Sequence, residues 1–166
     1  MYNAGDAVVY SSYGVCVITA IEDHDFSGEN VEYYVLRPVS DNKNKFYVPT
    51  DNEALKSRMR SVCSRSEVEE LISEMPQEDM FWIEDESRRK EEYRRIIDSG
   101  DRRKIIGLIK TLYIHGEELA AQHKKLRSSD ERFLHEAENM LYDEFAYVLG
   151  IERSEVVPYI TAAIKK

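Results

Sequence analysis

The sequence predicts an α+β chain of two parts, a small antiparallel β-barrel followed by an all-α bundle. Three observations carry this. The first 50 residues divide into short runs rich in β-branched and aromatic side chains, separated by tight polar turns and lacking any helical period. From about residue 66 onward, apolar residues recur three and four apart, the spacing of one helix face. Charge also segregates in the second part, where a basic stretch lies between two acidic ones.

Residues 5–10 (GDAVVY) and 14–21 (GVCVITAI) read as two strands joined by the turn SSYG. A second turn, DFSGEN at 25–30, gives Gly28 the freedom to take a positive φ. A third strand follows at 31–37 (VEYYVLR) and a fourth at 45–48, separated by the polar turn SDNKN. Pro49 lacks a backbone donor, which places the fourth strand at an edge or a terminus. An edge strand is a template for pairing with another chain, unless residues 51–60 cover it. A module of about 60 residues buries a marginal core by itself.

In the second part, Ser66-Glu67-Val68-Glu69 has the form of a capping box, with Val68, Leu71 and Ile72 on one face and Pro76 as the stop. Residues 77–80 form a polar link. Asp85 is a competent N-cap for a basic helix that ends near Gly100, and Asp101 caps the next helix. In that helix Ile105, Leu108, Ile109 and Leu112 make one stripe, and His115-Gly116 is expected to break or bend it. Ser129 or Asp130 caps the longest helix, whose core face carries Phe133, Leu134, Ala137, Met140, Leu141, Phe145 and Val148 before Gly150 ends it. Ser154 caps a last short helix with Pro158 in its first turn. The predicted organisation is thus 1–62 as the β-barrel, 63–80 as a short helix and linker, and 81–166 as a helical domain.

Composition narrows the function. With 42% hydrophobic and 33% charged residues the chain is globular rather than disordered. No apolar run approaches the roughly 20 residues needed to span a bilayer, and the start lacks a secretory pattern, so a cytoplasmic location and no membrane partner are expected. Cys16 and Cys63 are far apart and read as buried small side chains in a reducing compartment. The four histidines are not at metal-ligand spacing with one another or with the cysteines, and no glycine loop cradles a phosphate. No enzyme activity, cofactor or metal is expected.

The net charge of −9 argues against nucleic acid until its distribution is considered. Residues 64–87 hold nine acids and one base, 88–127 hold twelve bases and six acids, and 128–155 hold eight acids and two bases. The middle segment can meet a phosphate backbone, or it can be paired internally with its acidic neighbours. Arg88 and Arg95 lie on the helix face away from Tyr93 and Ile97, with Arg94 at its margin. In the next helix Arg103, Gly107 and Lys110 lie opposite the apolar stripe. Gly107 would admit a phosphate backbone or a tight helix crossing. Trp82, the single tryptophan, shares a face with Arg89, Tyr93 and Ile96 if the basic helix starts before it, and projects freely if the helix starts at Asp85.

The segments GDAVVYSSYGVCVI, YYVLRP, VPTDNEALKSRMRSV, SRRKEEYRRIIDSGDRRKIIGLIKTLY and DEFAYVLGI resemble, in order and over nearly the full length, the CarD/CdnL family of bacterial transcription regulators. The opening part is also similar to the RNA-polymerase-binding module of transcription-repair coupling factors. The resemblance implies a Tudor-like barrel that binds the β subunit of RNA polymerase, through Glu22, His24, Lys45, Tyr47, Val48 and Pro49. It further implies a helical domain on promoter DNA at the upstream edge of the melted bubble, acting as a monomer on the minor groove and backbone with little sequence specificity. The DNA-contacting set is then Trp82, Arg88, Arg89, Arg94, Arg95, Arg102, Arg103, Lys104 and Lys110, with Trp82 as a minor-groove wedge. Two positions depart from some members. His24 and Tyr47 stand where those have arginines, and Glu86 aligns with their tryptophan, one helical turn after Trp82. The competing class is a protein-interaction module that docks on polymerase or another partner without touching DNA.

Overall fold

The computed structural model describes residues 2–10, 13–41 and 43–164 and divides the chain into two compact units, Met1–Cys63 and Ser64–Lys166. Ser11, Ser12 and Asn42, part of the first and third expected turns, lie outside the described residues.

The first unit is a five-stranded antiparallel sheet: β1 (Ala7–Tyr10), β2 (Val15–His24), β3 (Val31–Pro38), β4 (Phe46–Pro49) and β5 (Met59–Ser61), paired in the order β4-β3-β2-β1-β5. Residues 51–60 add no strand beside β4, which pairs with β3 alone among the described strands. A single helical turn, α1 (Glu53–Lys56), leads into β5, which pairs with β1 at the opposite end of the sheet. β5 was not expected, because three residues reading MRS are too few to display an alternation.

Period-two alternation sends Val8, Tyr10, Cys16, Ile18, Tyr34, Leu36, Val48 and Met59 to one face, where they form the core, with Phe46 and Leu55 packed against it. A bulge between Ile18 and Ala20 shifts the β2–β3 register, and the Thr19 hydroxyl there donates to Val35 O at 3.3 Å. Gly28 takes φ +94° as expected, in a turn that its N–H closes on Asp25 Oδ1 at 2.7 Å.

The second unit is helical: α2 (Arg65–Glu74), α3 (Glu86–Ser99), α4 (Arg102–Ala121), α5 (Ser128–Leu149) and α6 (Val156–Ile164), with 3₁₀ turns at Met75–Gln77 and Arg153–Glu155. The α+β class expected from the sequence is therefore present, a sheet followed by helices. The caps of α3 and α4 are as read: Asp85 accepts from Ser87 and Arg88 N–H, and Asp101 from Arg103 and Lys104 N–H. Gly100 and Gly150 end α3 and α5 in the left-handed conformation.

Four local expectations are corrected. The α2 cap is Ser64 rather than Ser66, its hydroxyl accepting from Glu67 N–H at 3.1 Å. Neither Ser129 nor Asp130 caps α5, because the helix already starts at Ser128 and Asp130 is used in the core. Before α6 the reciprocal cap is made by Glu152 and Glu155, not by Ser154. α4 runs unbroken through His115-Gly116; Gly116 faces Leu126, and a Cβ there would lie 3.4 Å from that side chain. Core burial follows most of the expected stripes, with Val68, Leu71, Ile72, Tyr93, Ile97, Leu108, Leu112, Phe133, Ala137 and Phe145 buried, while Ile109, Leu134 and Val148 are only half-buried. Among the described residues no helix is long and apolar enough to cross a membrane.

Candidate functional site

The segment before α3, expected to be a polar link, is strapped to the helical unit by side chains distant in sequence. Lys110 Nζ donates to the carbonyls of Met75, Pro76 and Glu78 at 3.3, 3.0 and 3.0 Å. Thr111 Oγ1 accepts from Phe81 N–H at 3.0 Å and donates to Gly107 O at 2.7 Å, while Tyr93 OH donates to Phe81 O at 3.4 Å. A Cβ on Gly107 would lie 2.8 Å from Asp79 O and 3.0 Å from Phe81 Cε1. Gly107 is thus the clearance for this segment rather than for a phosphate backbone.

Arg89 is the centre of the strap. The residue is 2% exposed, and its guanidinium forms a bidentate pair with Asp130, Nε to Oδ1 at 2.9 Å and Nη2 to Oδ2 at 3.1 Å. Nη1 donates to the carbonyls of Ile83 and Glu84 at 3.0 and 3.3 Å. Burial opposes the charge, but the hydrogen bonds and field of Asp130 outweigh it and hold the Arg89 pKa above its ordinary value. The same burial, aided by Asp130, pushes the Tyr93 phenol up to about 12.

Trp82 follows from this arrangement. α3 begins after Asp85, so the tryptophan does precede the helix, yet its indole does not project freely. It is half-buried, stacked on His115 with centroids 3.7 Å apart and planes at 22°, and Arg89 Cζ lies 4.4 Å from its ring centre. Neither sequence alternative anticipated this, because His115 is on the following helix, 33 residues away.

The remaining basic residues fall into three groups. Arg89, Lys110 and Arg102 are structural in this arrangement. Arg102 sits on the buried carboxylate of Glu144, with Nε–Oε1 and Nη2–Oε2 at 2.8 and 2.6 Å. Arg94, Arg95 and Arg103 reach the surface but are ion-paired: Arg94 is bidentate to Glu136 at 2.9 Å, Arg95 pairs with Glu92, and Arg103 pairs with Glu74 and lies near Glu70 and Glu78. Glu136 holds the Arg94 pKa above its ordinary value. Arg88 and Lys104 are exposed and make no ion pair among the described residues.

On the sheet unit the geometry is different. Four rings converge on the exposed surface near the β4 edge: His24 stacks on Phe26 at 5.0 Å, and Tyr47 meets His24 and Phe26 edge-on, each at 5.2 Å. Tyr33 joins them, 5.3 Å from Phe26 and 6.2 Å from both His24 and Tyr47. Register explains the cluster, since Glu22 pairs with Tyr33, His24 with Val31, and Val35 with Tyr47, which puts alternate residues of three strands on one face. Glu22 Oε2 fixes the imidazole at 2.7 Å, and Lys45 is exposed beside the strand start.

Phe26 is 59% exposed, an unusual position for a phenylalanine that makes no contribution to the core. Of the residues expected on this face, Glu22, His24, Lys45 and Tyr47 present their side chains, Pro49 is half-buried, and Val48 is fully buried in the core. Val48 therefore leaves the list of side-chain contacts, because the strand alternation turns it inward. Phe26 and Tyr33 were missed. The signal for Tyr33 was its place beside the inward Tyr34; for Phe26 it was an aromatic residue within a polar turn.

Comparison with known families matches both units. A model described as CarD-like/TRCF RID domain covers residues 2–63, and one described as CarD, C-terminal domain covers residues 68–161.

Proposed function

The chain belongs to the CarD family, non-enzymatic transcription factors that interact with RNA polymerase, and from that premise we propose how its two units divide the work. The sheet unit docks on the polymerase β subunit through the β4 edge and the rings of His24, Phe26, Tyr33 and Tyr47, with Glu22 and Lys45 at the margin. The helical unit lies on promoter DNA at the upstream edge of the bubble and alters the lifetime of the open complex. The single observation that carries this reading is the exposed four-ring cluster beside an edge strand. Aromatic side chains in a rigid setting are the common anchors of protein interfaces, and an edge strand supplies main-chain register.

DNA contact rests on the cations that reach solvent. Arg88 and Lys104 are available to phosphate directly, while Arg94, Arg95 and Arg103 would exchange a glutamate for a phosphate. Arg89, Arg102 and Lys110 do not belong to this set, since all three are engaged in holding the helical unit together. Trp82 acts as a wedge only by leaving its stack on His115, so phosphate contacts carry the DNA reading and the indole does not.

The same internal pairing favours a second reading, in which the helical unit never meets DNA and the protein acts as an interaction module on polymerase. Binding to forked DNA across a salt series separates the two. The first reading expects affinity to fall steeply with salt. Open-complex lifetime with purified polymerase then tests the functional claim. No change in lifetime with saturating protein would remove it.

A further inference from the structure

α6 is a helix that fails to bury itself. Of its nine residues, VVPYITAAI, only Val156 is buried, while Val157 and Ile164 are 49% and 43% exposed. These residues form one wall of a half-open groove of about 490 Å³ in the helical unit. Val157, Ile160 and Ile164 are spaced i, i+3, i+7 along α6, and Ile106, Ile109 and Tyr113 have the same spacing along α4. Two such stripes make a trough about two helical turns long, roughly 10 Å. Leu141 and Tyr142 of α5 and the turn at Met75 and Pro76 line it as well.

Two charges line the trough, and only one of them is taken. Lys110 is committed to the three carbonyls of the 75–78 turn. Glu138, i, i+3 and i, i+4 from Leu141 and Tyr142, makes no ion pair among the described residues. In the acidic stretch 128–155, Asp130, Glu136 and Glu144 are already paired with Arg89, Arg94 and Arg102, and Glu138 differs from them in this respect. An apolar trough with an unmatched carboxylate at its side suits an apolar stripe flanked by a cation.

We propose that this groove is a docking site for one amphipathic helix of a protein partner, with apolar residues at i, i+3/i+4, i+7 and a lysine or arginine beside them. The site is separate from the four-ring face and from Arg88 and Lys104, and the proposal does not depend on either DNA contact or open-complex lifetime.

The test uses the full chain and two labelled synthetic helices of about 15 residues, long enough for four turns. One has a leucine stripe flanked by lysines; the other has the same stripe flanked by glutamates. Fluorescence anisotropy should show the Leu/Lys helix binding at least tenfold more tightly than the Leu/Glu helix. Val157→Asp and Glu138→Lys should each weaken it about tenfold or more, with thermal unfolding unchanged. Ile164→Asp, at the far end of the stripe, repeats the first test if Val157→Asp unfolds. Glu91→Lys, the same charge change on exposed α3, should leave binding within about twofold. Equal losses for Glu91→Lys and Glu138→Lys would reduce the effect to net charge and overturn the site. So would unchanged binding to Val157→Asp and Ile164→Asp, or self-association of the chain without peptide that Val157→Asp abolishes.

Discussion

The two units differ in what they do with their most conspicuous side chains. The sheet unit leaves aromatic rings on its surface, where His24, Phe26, Tyr33 and Tyr47 touch mainly one another. The helical unit leaves Tyr113 and Tyr147 exposed as well, but it takes Tyr93 and Phe145 fully inward and draws in charges: Arg89, Asp130 and Glu144 are all at most 3% exposed. Burying an arginine is costly unless every donor is used, and Arg89 uses its donors on Asp130 and two carbonyls. The difference teaches that conspicuous residues need not be contact residues. In the helical unit the conspicuous tryptophan and several arginines hold the structure, whereas in the sheet unit conspicuous aromatics stay at the surface.

The largest expected effect follows from the buried pair. Asp130→Ala strands the Arg89 guanidinium and should cost about 3–5 kcal/mol of stability. Denaturant unfolding followed through Trp82, the only tryptophan, reads this directly because Arg89 lies against its ring. A loss under about 1 kcal/mol would place Arg89 in contact with solvent and return it to the DNA-contacting set.

The surface rings should behave in the reverse manner. Phe26→Asp and Tyr47→Asp remove exposed side chains, so unfolding should shift by no more than about 0.5 kcal/mol. Binding to polymerase should weaken by about 2 kcal/mol or more, roughly thirtyfold, as expected for anchor residues. Measured by titration against labelled polymerase, an unchanged affinity for both variants would remove the four-ring face from the interface.

Smaller effects should sort the arginines. On forked DNA, Arg88→Ala with Lys104→Ala should lower the slope of log affinity against log salt by about 2, since each phosphate contact contributes roughly 0.9. Arg94→Ala should change that slope by less than about half a unit if its bidentate pair with Glu136 persists on DNA. Equal effects from Arg88 and Arg94 would mean that phosphate displaces Glu136, and the distinction between paired and available cations would fall.

Much of this was legible in the sequence where the determinant is local. Asp85 and Asp101 as caps, Gly28 and Gly100 in turns, and the stripes of α2, α4 and α5 each depend on residues within a few positions. β5 is too short to signal itself. The Arg89–Asp130 pair joins residues 41 apart, and the His115–Trp82 stack joins residues 33 apart. A helical wheel assigns Arg89 to the Tyr93 face correctly, but it does not say that a carboxylate waits there. Segregated charge likewise left internal pairing open beside phosphate contact, but it did not name Glu136, Glu144 and the acids of α2 as the partners.

The finest test of the contrast is alkaline pH, since each unit buries a group that resists losing its proton. Burial pushes the Cys16 thiol in the sheet unit from an ordinary value of 9.0 to about 11. In the helical unit burial pushes Tyr93 from 10.0 to about 12. In both cases folding favours the neutral form. Stability from each group is therefore complete below its unfolded value and declines as pH rises through its folded one. The sheet unit should weaken first, between about pH 9 and 11, and the helical unit between about pH 10 and 12. In a Cys63→Ala background, iodoacetamide should label native Cys16 far more slowly than the unfolded chain at pH 9, while Trp82 emission stays constant. Labelling of Cys16 at the unfolded rate would mean that the sheet core admits solvent at that strand. A shift in Trp82 emission at the same pH would mean that the two units lose structure together, and the contrast between them would then describe surfaces rather than separate cores.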